Sequence, residues 1–186
     1  LSAFSNGVDD IPDDKKPDHA RIGEVLYRTA KELQGYISKL EEIRVPVIAA
    51  VHGGVIGGAL DLITACDMRF ASSDAFFCIQ EINIGMAADV GTLQRLPKII
   101  PDAKMREMAY TGRRMFADEA KDSGLVGEIY ETQDEMLDAV HKLAAEIASK
   151  SPVAIYGLKA VMNYSRDHNV SDSLDFNALW SGAMLS

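Results

Sequence analysis

Between residues 20 and 42, apolar side chains recur every three or four positions, as they do on one face of an α-helix. The pattern predicts one long helix over this stretch, and Pro46 prevents it from continuing further. The preceding residues 1–19 contain clustered Asp and Pro and are predicted to form a loop. The apolar positions of the predicted helix are Ile22, Leu26, Ala30, Leu33, Ile37 and Leu40.

Short apolar runs and turn residues then follow each other closely. Residues 47–51 are all apolar, which predicts a strand buried on both faces. Residues 52–54 predict a turn, because two of the three are glycines. A short buried helix is predicted at 57–65, beginning at glycines.

Two more short strands are predicted at 68–71 and 75–79, on either side of a Ser-Ser-Asp turn. Residues 81–89 are predicted to be irregular, and 91–96 to form a short helix before Pro97. The first half of the chain therefore combines buried strands with short helices, without the regular alternation of a doubly wound sheet.

The second half is predicted to be mostly helical, so the whole chain is expected to be an α/β protein with a helical C-terminal region. One helix starts at Thr132 with Glu135 three residues later, which is the pattern of a capping box. The predicted helices cover 103–110, 117–123, 132–149, 152–164 and 171–184, with one further strand at 127–130.

Composition and charge exclude several classes of function. With 47% apolar and 25% charged residues, the chain is expected to fold rather than remain disordered. Its apolar runs are far shorter than the roughly 20 residues that cross a membrane, so no membrane partner is expected. A net charge of −9 argues against nucleic acid as a partner. No metal site is predicted, because no HExxH motif is present and none of the four histidines has a histidine three or four residues away.

Four glycines lie between residues 53 and 58, after the predicted strand and at the start of the predicted helix. Glycine allows close approach of the backbone and positive φ angles. The first N–H groups of a helix have no partner within the helix, so they can stabilise a developing oxyanion. Two interpretations remain open at this point: an oxyanion hole, or tight packing of strand against helix.

Three carboxylates stand in apolar stretches, namely Asp61, Glu81 and Asp89. Burial and neighbouring negative charge raise the pKa of a carboxyl group, which makes it a usable acid or base near neutral pH. The alternative for each is an ordinary helix cap or an ion pair. Asp67 lies close to Arg69 in the sequence, and we expect these two to pair.

Several segments together resemble the crotonase, or enoyl-CoA hydratase/isomerase, family. They are residues 46–62, 81–85, 91–97 and 117–126. Within that family the set Asp61, Glu81 and Asp89 is most similar to the Δ3,5-Δ2,4-dienoyl-CoA isomerase branch, since hydratases carry Glu, Glu and Gly at these positions. Residues 87–97 and 164–168 also resemble that branch.

The resemblance implies a fold and an assembly. The fold would be a spiral of ββα units with a C-terminal helical region, assembled as a homo-oligomer, either a trimer or a dimer of trimers. The core would cover 1–125 and the helical region 126–186. Family members carry further strands before the position of Phe4 and a further helix after Ser186, so both parts would be incomplete here.

The resemblance also implies a reaction, the conversion of a 3,5-dienoyl-CoA to a 2,4-dienoyl-CoA in fatty-acid β-oxidation. Glu81 and Asp89 would transfer the protons, and Asp61 would assist them. An oxyanion hole would stabilise the dienolate intermediate. No cofactor would be needed, because CoA is part of the acyl-CoA substrate. The residues corresponding to the oxyanion hole are Gly7, Val8 and Gly58.

Two alternatives stay open. One is a different reaction of the same family, either hydration of an enoyl-CoA or Δ3-Δ2-enoyl-CoA isomerisation. The other is a non-catalytic protein that binds acyl-CoA or serves as a scaffold, since a fold does not fix a function. The expected compartment is the mitochondrion or peroxisome in a eukaryote and the cytoplasm in a bacterium.

Overall fold

A computed structural model describes residues 18–184 of the chain. The first element is helix α1 (His19–Glu42), in which the Asp18 side chain caps the N-terminus by accepting from the Arg21 backbone N–H. The predicted start at residue 20 is therefore confirmed to within one residue. Most of the predicted loop at 1–19 lies outside the described residues.

Strands come in pairs whose two members enter different sheets. The first pair is β1 (Ile48–Val51) and β2 (Gly54–Ile56), followed by helix α2 (Gly58–Thr64). The second pair is β3 (Met68–Ser72) and β4 (Phe76–Cys78). β3 pairs in parallel with β1, and β4 pairs in parallel with β2, so the second ββ pair lies beside the first.

This arrangement corrects one expectation and extends another. Residues 52–54 were predicted to be a turn, but Gly54 begins β2. The strands at 68–71 and 75–79 are confirmed, although they pair with earlier strands and not with each other. Each ββ pair followed by a helix or helical turn gives the repeating unit of the predicted spiral.

The remaining elements complete both sheets and add the helical region. Strand β5 (Met115–Phe116) pairs antiparallel with β4, and β6 (Glu128–Tyr130) pairs parallel with β3. The sequence pattern indicated β6 but not β5. The helical elements are a 3-10 turn (Glu81–Ile84), α3 (Thr92–Arg95), a second 3-10 turn (Leu96–Lys98), α4 (Asp102–Thr111), α5 (Ala117–Asp122), α6 (Gln133–Ala148), α7 (Pro152–Asp167) and α8 (Val170–Met184).

The α/β fold with a helical C-terminal region is thus confirmed. The capping box is confirmed as well: Thr132 Oγ1 accepts from the Glu135 backbone N–H at 3.2 Å, and the Glu135 carboxylate accepts from Thr132 N–H. The division of the chain at residue 125 stays a prediction. No helix between residues 18 and 184 is long and apolar enough to cross a membrane.

A single core forms where α2, both sheets and the helices α4–α6 meet. Its fully buried side chains are Leu60, Phe77, Leu96, Met108, Met115, Leu125 and Met136. Burial of apolar surface on this scale is the main stabilising term of the fold. It holds the N-terminus of α2 and the segment after β4 in fixed relation to each other.

The expected pair between Asp67 and Arg69 is wrong. Asp67 accepts from the Lys159 ammonium at 2.8 Å and from the Val47 backbone N–H at 2.7 Å. Arg69 instead donates to backbone carbonyls, including that of Leu125 at 2.7 Å. Lys159 comes from α7, and so this buried ion pair ties the helical region to the start of β1.

Candidate active site

The N-terminus of α2 forms one wall of the site. Gly57 precedes this helix with a φ of 55°, a conformation that favours glycine. The backbone N–H groups of Gly58 and Ala59 contact no acceptor among residues 18–184. A Cβ at Gly58 would meet no heavy atom within 4 Å, so open space adjoins this residue. The glycine cluster therefore offers free N–H donors beside a space that a ligand can enter.

Glu81 lies against this helix end. Its Oε1 would be 3.0 Å from a Cβ at position 57, so the carboxylate lies close to the backbone at the start of α2. The carboxylate belongs to the 3-10 turn that follows β4, and it is partly buried. Burial raises the pKa of Glu81, and the negative charges of Asp61 and Asp89 raise it further.

Asp61 has a structural partner of its own. It is on α2, one turn after Gly58, with only 1% of its surface exposed. Its Oδ1 accepts from the Thr92 backbone N–H at 2.6 Å, which caps the N-terminus of α3 from outside that helix. The cap interpretation therefore holds for Asp61, beside its electrostatic effect on Glu81.

Asp89 lies in the segment between the 3-10 turn and α3. This segment has no regular secondary structure, and the Asp89 residue is exposed. Its backbone carbonyl accepts from Gln34 Nε2 on α1 at 2.7 Å. The charges of Asp61 and Asp89 both act on Glu81, although the three residues come from three different elements.

An apolar cavity of about 390 Å³ adjoins the same segment. It extends from the end of β4 to α4, and its lining includes Ile82 and Ala88, the chain neighbours of Glu81 and Asp89. Apolar walls with few polar groups are typical of sites for small organic ligands. The side chains that line it include Ile79, Ile82, Met86, Leu93 and Tyr110.

Some predicted site residues cannot be placed. Gly7 and Val8, the other residues of the expected oxyanion hole, lie outside the described residues. Within 18–184, no group of three or more His, Cys, Asp or Glu residues is arranged to hold a metal ion.

Sequence reasoning missed two contacts at the site, those of Gln34 and Thr92. Each connects positions 31 or 55 residues apart, and no local pattern reports such a pairing. The only available signal for Gln34 was its place in a polar stripe on the predicted helix, at four- and seven-residue spacing to Ser38 and Glu41.

Comparison with known families gives a match over almost the whole chain. Residues 3–182 match the family model described as "Enoyl-CoA hydratase/isomerase". This match includes the α2 N-terminus and all three carboxylates.

Two curated relatives are similar in sequence. The mitochondrial Δ3,5-Δ2,4-dienoyl-CoA isomerase of Rattus norvegicus is 48% identical over 98% of this chain and 58% of that protein. The peroxisomal Δ3,5-Δ2,4-dienoyl-CoA isomerase of Arabidopsis thaliana is 48% identical over 90% of this chain and 60% of that protein. The chain thus spans about six tenths of the length of these relatives.

A solved structure has the same fold. It is a probable enoyl-CoA hydratase/isomerase from Mycobacterium abscessus, with a TM-score of 0.81 and 31% identity. The match covers 86% of this chain and 61% of that one. The paired strands and following helices are therefore arranged as in that protein.

Proposed function

The chain belongs to the enoyl-CoA hydratase/isomerase family, and we propose that it isomerises 3,5-dienoyl-CoA to 2,4-dienoyl-CoA. The observation that carries the proposal is that Glu81 lies beside the N-terminus of α2 and that its pKa is raised by burial and by the charges of Asp61 and Asp89. The names of the two relatives at 48% identity support the same reaction.

The reaction removes one proton from the substrate and adds one proton at another carbon. One carboxylate removes the proton from C2, and the electron pair delocalises onto the thioester oxygen on one side of C2 and through the two double bonds to C6 on the other. The resulting dienolate takes up a proton at C6 from the other carboxyl group, which leaves double bonds at C2 and C4. Glu81 and Asp89 are the proposed pair, because a raised pKa brings Glu81 nearer to the range in which a carboxyl group can both hold and release a proton during catalysis.

The thioester oxygen needs hydrogen-bond donors while it carries negative charge. The Gly58 N–H is the proposed donor in the described structure, since Gly58 is exposed and its N–H has no acceptor among residues 18–184. Gly7 and Val8 are proposed to supply the second donor. The apolar cavity beside the Asp89 segment is suited to the hydrocarbon part of the acyl chain.

The wider biological setting is also part of the proposal. The substrate is an acyl-CoA thioester of fatty-acid β-oxidation, and no further cofactor takes part. The protein acts in a mitochondrion or peroxisome, as the names of the two relatives indicate for them. It assembles as a homo-oligomer, a trimer or a dimer of trimers.

Asp89→Asn separates this reaction from hydration. Loss of a general acid or base costs roughly 100-fold or more in rate, so dienoyl-CoA isomerisation should fall by at least that factor. Hydration of a 2-enoyl-CoA, if the wild type has any, should change little, because a hydratase carries glycine at this position. An isomerase rate that survives the substitution would contradict the assignment of Asp89.

A further inference from the structure

We infer that Gln34 on α1 is a positioning residue for Asp89. Gln34 is in turn held in place by contacts between α1 and α3, those of Arg95 with Ser38 and Glu41, which we call the clamp. The inference rests on the proposed function and extends it to a side chain outside the carboxylate group. Gln34 Nε2 donates to the Asp89 carbonyl at 2.7 Å. Lys31 Nζ donates to the other end of the amide, Gln34 Oε1, at 3.2 Å. Both ends of the amide group are therefore engaged.

The segment that carries Asp89 depends on such contacts, because residues 86–89 have no secondary structure. At its start, the Met86 N–H donates to the Glu81 carbonyl at 2.9 Å. At its end, the Thr92 N–H donates to Asp61 at 2.6 Å. Between these two anchors, the Gln34 amide is the one hydrogen-bonding group that the described residues provide to the backbone of 87–90.

The clamp fixes α1 relative to the end of the segment. Arg95 on α3 donates to Ser38 Oγ at 2.9 Å and to Glu41 Oε2 at 2.7 Å. The Arg95 and Glu41 side chains are only 13% and 16% exposed, so solvent screens this pair weakly. Gln34, Ser38 and Glu41 are spaced at i, i+4 and i+7, on one face of α1. The same helix face thus holds both the Asp89 carbonyl and the helix that follows it.

Two features around the clamp restrict the movement of the backbone between Asp89 and α3. A Cβ at Gly91 would overlap the Arg95 guanidinium, and Gly91 has a φ of 142°. Glu41 also forms an ion pair with Arg166 of α7. The backbone between Asp89 and α3 is therefore packed against the clamp. Small displacements of a reacting group cost large factors in rate, and so this face of α1 sets the position of Asp89.

The test uses Gln34→Ala and Gln34→Glu, of which the second keeps the size of the side chain and loses the donor. Both variants should lower kcat for the dienoyl-CoA about 10-fold and change KM less than about twofold. This loss is smaller than the roughly 100-fold loss that a fully misplaced reacting group causes. Gln94→Ala is the matched control. Gln94 is exposed and lines, together with Gln34, Ser38, Glu41 and Arg95, a polar cavity between α1 and α3, and it makes no side-chain hydrogen bond among the described residues. Gln94→Ala should leave kcat unchanged.

Two further measurements exclude a merely structural effect. In an Asp89→Asn background, Gln34→Ala should cost less than about twofold, because a positioning residue has nothing left to position. Amide hydrogen exchange in the peptide covering 86–91 should rise in both Gln34 variants and remain unchanged in Gln94→Ala. The thermal midpoint should be the same in all three.

The outcomes separate the inference from its premise. A wild-type protein without isomerase activity contradicts the proposed function, while hydrogen exchange still reports whether Gln34 holds the segment. An active enzyme whose Gln34 variants keep full kcat, or show no rise in exchange at 86–91, overturns the inference alone. An equal loss of rate with and without Asp89 also overturns it.

Discussion

The Asp61 carboxylate and the Thr92 backbone N–H are 2.6 Å apart, although 31 residues separate them in the chain. Through this contact a buried acid on α2 fixes the first turn of α3, immediately after the segment that carries Asp89. The same carboxylate raises the pKa of Glu81 through its charge. Asp61 therefore has two roles that substitutions can separate, one in hydrogen bonding and one in electrostatics.

Asp61→Ala should destabilise the fold by about 2 kcal/mol, because it leaves the buried Thr92 N–H without an acceptor. Asp61→Asn keeps an oxygen at that position and should cost less than about 1 kcal/mol. Urea unfolding of both variants measures the difference. Equal destabilisation by the two substitutions would contradict the hydrogen-bonding role.

The electrostatic role of Asp61 predicts a shift in pH dependence. Asp61→Asn removes a negative charge that raises the pKa of Glu81, so that pKa should fall. The limb of the pH–rate profile that belongs to Glu81 should move to lower pH by the same amount. Asp118→Asn, on α5 and away from the site, serves as the control and should leave the limb in place. A limb that does not move in Asp61→Asn would show that the charge of Asp61 has no influence.

Glu81→Gln should make the protein more stable near pH 7 while abolishing most of the proposed isomerase activity. The pKa of Glu81 is raised in the folded state, so the folded protein holds this proton more tightly than the unfolded chain does. The protonated form of Glu81 therefore favours the folded state. This stabilisation is fully present below the pKa of Glu81 in the unfolded chain, about 4.3, and it is lost as the pH rises through the pKa of Glu81 in the folded protein. The gain from Gln should therefore disappear below about pH 4.

Urea midpoints of wild type and Glu81→Gln, compared from pH 4 to pH 8, test this sign. The control is Glu146→Gln, at an exposed glutamate that pairs with Lys150. It measures how stability changes when a glutamate without such burial is replaced. If Glu81→Gln lowers stability at pH 7, the carboxylate is stabilising the fold, and its placement as a catalytic group is wrong.

The sequence predicted most helices and strand β1, because their apolar patterns are strong and local. It also predicted that β1 is buried on both faces, but only Ala49 of its four residues is buried. It missed β2 and β5, which have three and two residues. Gly54 suggested a turn, but pairing with Phe76 across the sheet places it in a strand. A strand this short is defined by its partner, and a single sequence does not show which partner that is.

The site was predictable in its residue types and only partly in its contacts. Asp61, Glu81 and Asp89 stood out as acids in apolar stretches. Their differing burial did not follow from that pattern: Asp61 is buried, whereas Asp89 is exposed. The pairing of Asp67 was also mispredicted, because sequence proximity favoured Arg69 while the fold brings Lys159 from 92 residues away.

Lys159 should be one of the most sensitive positions outside the site. Its side chain is 3% exposed, and its ammonium donates to Asp67 and to the carbonyls of Leu40 and Val45. Removing one partner of a buried ion pair costs about 3–5 kcal/mol, so Lys159→Met should lower the free energy of unfolding by about 3 kcal/mol.

The matched control is Lys150→Met, whose exposed pair with Glu146 at 3.8 Å should contribute less than about 0.5 kcal/mol. Both variants should keep the wild-type kcat at temperatures where they are folded. A small loss in Lys159→Met, similar to that of the control, would mean that the link between α7 and β1 contributes little to the stability of the fold.

The central claim is the isomerisation itself, and one spectrophotometric experiment on the wild-type protein tests it most directly. The protein is mixed with a 3,5-dienoyl-CoA while the absorbance of the conjugated 2,4-dienoyl thioester is followed, and a parallel assay measures hydration of a 2-enoyl-CoA. Rapid growth of the conjugated product with slow hydration is the predicted result. Rapid hydration without any dienoyl product would contradict the claim and would assign Asp61 and Glu81 to a hydratase.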